Sequence, residues 1–348
     1  MKNYQEILEP LFRDEEGNYV DHFTPEILKK IHSEKLFKLF LPEELGGLGM
    51  KMQETLEVFE QCAYVNGSLG WLVQIGNGGN YFAGNFDEGT AREFFSPVNA
   101  VLAGSGSASG IAKRVEGGYN VSGNWRFASG SDHGSFFTAV AKIDDQERPI
   151  TFVLRKEQVS IINDWKTFGL KNTSTNSFTA KDAFVEDRLL FNYTDRKFFF
   201  DTDVYEYPFL TFAELFFLKM IFGMFERYVE EVGKLASGQK KKWEVQYPQR
   251  ADLILKKCDA ALNDLSIFRK TLSTSMSGFP GKVVEQKNAL AARFDDETKR
   301  MNAALRSHVQ DLFSLCGMNV LYITHPVNVF YRDLISCMQH ALLNDYTA

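Results

Sequence analysis

Ala112-Lys113-Arg114-Val115-Glu116-Gly117-Gly118-Tyr119-Asn120-Val121-Ser122 reads as two alternating runs that meet at a Gly-Gly pair. The favoured two-residue hairpin turns need positive φ at both central positions, which glycine reaches without steric cost. The stretch therefore predicts an antiparallel hairpin. Upstream, alternation begins after Ala100 with Val101, Ala103 and Ser105; downstream, Phe136 to Ile143, Ile150 to Leu154 and Ser177 to Phe184 repeat the strand pattern. Asp144-Asp145-Gln146-Glu147-Arg148-Pro149 reads as a turn between two of these strands. A small antiparallel β unit is thus expected over residues 99–192.

On both sides the period changes to that of helices. In residues 1–98, Thr24-Pro25-Glu26 has the form of an N-cap followed by proline at the first helical position. Ile27, Leu28, Ile31, Leu36 and Leu39 then recur at spacings that suit one or two amphipathic helices, until Pro42 and Gly46-Gly47 break the pattern. Further helices are expected from Met52 to about Tyr64 and from Gly70 to about Phe82. Within residues 205–348, long helices are expected at about 209–236, 245–276, 283–315 and 326–344, with Ser277-Gly278-Phe279-Pro280-Gly281 as a break. Long helices with short connections read as an antiparallel bundle. Periodicity alone gives the α+β class.

Composition narrows the function. The chain has 348 residues and a formal charge of -6, which is not the footprint of a nucleic-acid binder. Lys240-Lys241-Lys242 reads as a solvated loop or helix start rather than a phosphate patch. The most apolar long segment, Phe209 to Phe225, is interrupted by Glu214 and Lys219, so it predicts a buried helix and not a membrane span. Four cysteines without a CxxC pair and an N-terminus lacking a basic-then-apolar signal fit the cytoplasm. Six histidines without HExxH, Glu-x-x-His or paired Cys/His spacing predict no metal site. Gly104-x-Gly106-x-x-x-Gly110 fits neither GxGxxG nor a P-loop. The 31 phenylalanines fit either a bulky core and interface or an aromatic pocket for a flat ligand.

Three segments carry a resemblance. Leu41-Pro42-Glu43-Glu44-Leu45-Gly46-Gly47-Leu48-Gly49, Trp125-Arg126-Phe127-Ala128-Ser129-Gly130 and Arg332-Asp333 followed by His340 are similar to motifs of the acyl-CoA dehydrogenase superfamily. The resemblance spans nearly the whole chain. It implies an N-terminal helical domain, a central antiparallel β-barrel-like domain and a C-terminal four-helix bundle, assembled as a dimer or tetramer.

The family has Gly-x-Lys/Trp-x-x-x-Ser/Thr where this chain reads Gly123-Asn124-Trp125-Arg126-Phe127-Ala128-Ser129. By that match Trp125, Phe127 and Ser129 are flavin contacts, with Phe127 packed near the isoalloxazine and Ser129 bonded around N5. Read without the family, Ser129 is a buried strand serine bonded to backbone. Thr173 and Ser174, in a polar segment from Gly169 to Asn176, are implied to bind the flavin phosphate or ribityl groups, and Arg332 is implied to contact the cofactor. Asn328 stands where relatives have an arginine, and Glu186 where proline is usual.

None of the residues from Leu334 to Leu343 is acidic. Acyl-CoA dehydrogenases of the commonest type place a carboxylate base near this point, whereas His340 resembles the branch of two-component flavin-dependent monooxygenases. On a continuous helix Arg332, Ser336 and His340 would share one face, with Asp333 close to it. The expectation is a monooxygenase that receives reduced FMN or FAD from a separate flavin reductase. It would form a C4a-peroxide and hydroxylate a small-molecule substrate, with His340 and Ser129 catalytic. The alternatives are an acyl-CoA dehydrogenase using FAD, with Glu214 or Glu226 as substitute base on an acyl substrate, and a degenerate member that keeps only the fold.

Overall fold

Thr24 starts an amphipathic helix as its cap signature requires: its hydroxyl accepts the Ile27 amide at 3.3 Å, and Pro25 opens the helix. In this computed structural model, which describes residues 2–143 and 149–346, that helix is α2 (Pro25–Ser33), after a short α1 (Tyr4–Leu8). Leu36 and Leu39 do not extend it. The chain turns at Lys35, whose φ is +55°, and buries both leucines in an irregular segment. Lys38 fixes this segment: its buried ammonium donates to the carbonyls of Phe95 and Pro97, each at 2.7 Å. Burial lowers the Lys38 pKa to about 8. Gly47 lies against the chain so closely that a Cβ would stand 2.0 Å from the Leu41 carbonyl oxygen. The Leu41–Gly49 motif is therefore a packing device.

Three more helices complete this part: α3 (Met52–Val65), α4 (Gly67–Asn80) and α5 (Glu88–Phe95). Asn66 caps α4 by accepting the Leu69 amide at 3.0 Å. The strands follow: β1 (Leu102–Gly104), β2 (Gly110–Val115), β3 (Gly118–Ala128), β4 (Phe136–Ile143), β5 (Pro149–Arg155), β6 (Ser160–Ile162), β7 (Asn176–Glu186) and β8 (Leu190–Phe191). The expected turn at 144–149 falls, apart from Pro149, outside the described residues.

The hairpin between β2 and β3 forms in register, with Val115 opposite Gly118, so the turn itself is Glu116-Gly117. The sheet runs β6-β7-β3-β2-β4-β5-β8. It is mixed rather than purely antiparallel, because β1 and β2 both pair parallel to β4. The hairpin reverses the chain once and residues 129–135 reverse it again, so β4 returns in the direction of β2. β1 and β2 occupy successive lengths of one edge of β4. Trp125, Phe137, Phe152 and Phe178 fill the core beneath.

The C-terminal helices are α6 (Phe209–Trp243), α7 (Arg250–Ser277), α8 (Val284–Cys316) and α9 (Pro326–Cys337). α6 is the central rod, packed on α3, α7, α8 and α9. Lys240, Lys241 and Lys242 form its last turn, where cations complement the carbonyl end of the helix dipole. Glu60 of α3 binds Arg269 of α7 at 2.6 Å and also Lys219 of α6. One apolar cluster joins the N-terminal helices to the C-terminal bundle, and a second joins the strands to α5 and the Leu41–Leu45 segment.

Candidate active site

Strand β3 ends in an irregularity. Pairing with β7 slips between Trp125 and Ala128, and Phe127 takes φ +64°, a left-handed conformation costly for a bulky residue. Such a bulge turns a side chain away from the alternation of the strand. The Phe127 ring is 60% exposed, with Arg126 4.8 Å above it and Trp165 edge-on at 6.5 Å. Trp125 points the other way. It is fully buried, stacks on Phe178 at 5.2 Å and donates its indole N–H to the Val140 carbonyl at 2.8 Å. The expectation that Trp125 touches a flavin therefore fails: strand alternation puts it on the core side.

Ser129 emerges just after the bulge and is 5% exposed. The Trp71 indole N–H of α4 donates to its hydroxyl at 2.8 Å, and the Thr175 hydroxyl lies 2.9 Å away. Thr175 in turn meets the Thr173 hydroxyl at 2.7 Å, and Thr173 donates to the Leu170 carbonyl at 2.8 Å. Thr173 is fully buried and so does not reach a ligand directly, which corrects the expectation of a cofactor contact. The Ser174 carbonyl accepts the Ser131 hydroxyl at 2.7 Å, and its φ is +45°. Ser174 also lines a polar cleft of about 340 Å³, together with Phe23, His133, Trp165, Lys171 and Asn172.

The segment from 168 to 175 is tied to α9. Asp333 accepts the Leu170 amide at 2.6 Å. Arg332 donates to the carbonyls of Phe168 and Ile323 at 2.9 and 2.8 Å and to the Asn328 side chain at 2.7 Å. Arg332 is thus a strut and not a cofactor contact. Asn328, which donates to the Val320 carbonyl at 2.8 Å, is its support. A Cβ on Gly169 would stand 2.2 Å from the Arg332 carbonyl oxygen, so only glycine allows this approach. Burial pushes the Asp333 carboxyl up to about 7.

His340 does not continue the face of α9. The helix ends at Cys337, and His340 caps the next turn, its Nδ1 accepting the Leu342 amide at 3.3 Å. Asp333 serves the Leu170 loop and is not a partner of His340. The imidazole instead packs on Phe217 of α6 at 4.1 Å and faces Trp71 at 6.3 Å. Desolvation lowers its pKa to about 4, so it is neutral at working pH. With Nδ1 accepting, the proton resides on Nε2, and the ring offers a donor.

Trp71 therefore lies between Ser129, just past β3, and His340 beyond α9. Trp71 was not marked as functional by sequence spacing, because its contacts bridge elements far apart in the chain. The two α6 carboxylates considered as a substitute base face elsewhere: Glu226 binds Arg269 at 2.6 Å, and Glu214 faces Asp295 and Lys299 of α8.

Residues 4–84 match the model of the acyl-CoA dehydrogenase N-terminal domain. The chain is 24% identical over 339 residues to indole-3-acetate monooxygenase of Pseudomonas putida, covering 94% of this chain and 85% of that protein. It is likewise 24% identical over 335 residues to HsaA, a flavin-dependent monooxygenase oxygenase subunit of Mycobacterium tuberculosis, covering 91% of this chain and 84% of that protein. The solved structure of XiaF from Streptomyces sp. in complex with FADH2 and glycerol superposes with a TM-score of 0.80 at 17% identity, covering 97% of this chain and 90% of that one. The fold is that of the acyl-CoA dehydrogenases. Within that fold, the chain is similar to the oxygenase components of flavin-dependent monooxygenases.

Proposed function

We propose that this protein is the oxygenase of a two-component flavin-dependent monooxygenase. It takes reduced FMN or FAD from a separate reductase and uses O2 to hydroxylate an aromatic or otherwise electron-rich small molecule. The observation that carries this reading is the group Ser129–Trp71–His340–Phe217: a hydroxyl, an imidazole and two aromatic rings where an acyl-CoA dehydrogenase needs a carboxylate base. The resemblance to acyl-CoA dehydrogenases supplies no such base, since Glu226 is ion-paired and Glu214 faces α8.

The residues present fit a flavin. Phe127 leaves a large apolar face exposed, which a flat ring system would cover. Ser129 stands beyond it with hydrogen-bonding capacity to spare, and the polar cleft beside Ser174 suits ribityl or phosphate oxygens. When bound there, the flavin supplies the redox chemistry that activates oxygen.

The protein's share is orientation and exclusion of water. Phe127 would support the ring, Ser129 would hold its central edge, and Trp71 and Phe217 would form dry walls for a flat substrate. His340, neutral and protonated on Nε2, would donate a hydrogen bond to substrate or to oxygen-derived charge. A cytoplasmic location agrees with four free, buried cysteines. Homo-oligomerisation agrees with the exposed apolar run Met318, Leu321, Tyr322 and Ile323.

The direct test is anaerobic titration with reduced FMN and reduced FAD. Binding of at least one, weakened about tenfold in Ser129→Ala, is expected from loss of one hydrogen bond to the ring. Absence of binding by either reduced flavin would refute the proposal.

A further inference from the structure

The hydroxyl groups between Ser129 and Leu170 admit one arrangement of protons. The Leu170 carbonyl can only accept, so the Thr173 hydroxyl must donate to it across 2.8 Å. The Thr173 proton is then committed, and the 2.7 Å contact with Thr175 exists only if Thr175 donates. That commits the Thr175 proton, so in the 2.9 Å contact with Ser129 it is Ser129 that donates. At the other end, the Trp71 indole N–H can only donate, and it occupies one lone pair of the Ser129 oxygen at 2.8 Å. Three hydroxyl protons serve three acceptors in sequence, and no other assignment satisfies all four contacts. What remains on Ser129 is a single lone pair.

From this chain we infer that Thr175 and Thr173 are positioning residues that make Ser129 a hydrogen-bond acceptor toward the flavin, and so set the site's preference for the reduced cofactor. The inference rests on the flavin reading above. Reduced flavin carries a proton on N5 and needs an acceptor there; oxidised flavin has a bare N5 and needs a donor. To donate, Ser129 would have to withdraw its proton from Thr175 and leave the buried Thr175 oxygen, which still donates to Thr173, without a donor of its own, which is costly. Thr173, Thr175 and Ser129 are all buried, at 0%, 5% and 5% exposure, so water does not readily replace the missing partner. The far end of the chain is anchored as well: Asp333 holds the Leu170 amide at 2.6 Å, and Trp165 donates to the same Leu170 carbonyl at 2.9 Å. A protein that receives its flavin reduced and releases it oxidised gains a built-in exchange signal from such a fixed dipole.

The test compares the dissociation constants of oxidised and reduced FMN and FAD, the latter measured anaerobically, for the wild type, Thr175→Val, Thr175→Ser and Thr173→Val. In Thr175→Val the Ser129 proton loses its acceptor and turns toward N5. The ratio of oxidised to reduced dissociation constants is then expected to fall about tenfold, which raises no activity by itself but lowers the bound flavin's midpoint potential by about 30 mV for a two-electron couple. Thr173→Val frees Thr175 to reverse its own hydroxyl and is expected to act in the same direction. It carries the same test if Thr175→Val is too unstable to titrate. Thr175→Ser restores the acceptor and is expected to keep the wild-type ratio. A ratio unchanged in both valine variants, with both flavin states still bound, would overturn the inference and leave the monooxygenase reading standing. Failure of the wild type to bind either state would overturn that reading, and the inference with it.

Discussion

At the scale of single residues, His340 owes its character to where α9 stops. A helix continuing past Cys337 would have aligned it with Arg332, but the chain breaks and delivers the imidazole to Phe217 and Trp71. Burial then lowers its pKa to about 4 from the ordinary 6.5. Between these values the unfolded chain takes up a proton that the folded site refuses, so this residue makes stability fall as pH drops through that window. An NMR titration of the imidazole is expected to find its midpoint near pH 4 and a neutral ring protonated on Nε2 at pH 7; a midpoint above 6 would contradict the buried placement. The sequence singles out Ser129, Phe127 and His340 through the motifs that surround them. Trp125, Thr173 and Arg332 lay in the same motifs but serve the scaffold, since spacing does not reveal which side of a strand or loop a residue faces. Trp71 carried no signal at all, because its importance comes from a contact made 58 positions away.

At the scale of elements, most of the chain announces itself. Thr24-Pro25 starts α2, alternation marks β4 to within its ends, and α8 falls close to its expected limits, whereas α6 runs on to Trp243 and α9 stops at Cys337. The short α5 and the irregular path from Lys35 to Met50 were not legible, because a buried ammonium and a glycine contact shape them rather than a local period. The parallel pairing of β1 and β2 with β4 was equally hidden, since alternation tells nothing of which edge a strand will meet. The junction between the 168–175 segment and α9 is the element most exposed to single changes. In Gly169→Ala the new methyl would clash with the Arg332 backbone, and a loss of about 2–4 kcal/mol is expected, read as a lowered denaturation midpoint. Because this segment holds Thr173 and Thr175, reduced-flavin binding should weaken as well. A variant as stable as the wild type would show that the approach is not as close as described.

At the scale of the whole molecule, the strands, the first helical part and the C-terminal helices each supply one member of the site: Ser129 just past β3 meets Trp71 of α4, and His340 beyond α9 faces the same indole. The exposed run Met318 to Ile323 adjoins that junction through the Ile323 carbonyl, which Arg332 holds at 2.8 Å. Sedimentation velocity is expected to find an oligomer at micromolar concentration that Tyr322→Glu weakens; a monomer would leave this apolar surface unexplained. Among the described residues no helix is long and apolar enough to cross a membrane. Whether the site binds reduced flavin and directs its reaction with oxygen is read out by rapid mixing. Protein loaded anaerobically with reduced flavin is mixed rapidly with oxygen while absorbance spectra are recorded. A transient species distinct from both reduced and oxidised flavin is expected, shorter-lived in Ser129→Ala and altered in His340→Ala. Reoxidation indistinguishable from that of free flavin, in protein shown to hold the flavin, would contradict it.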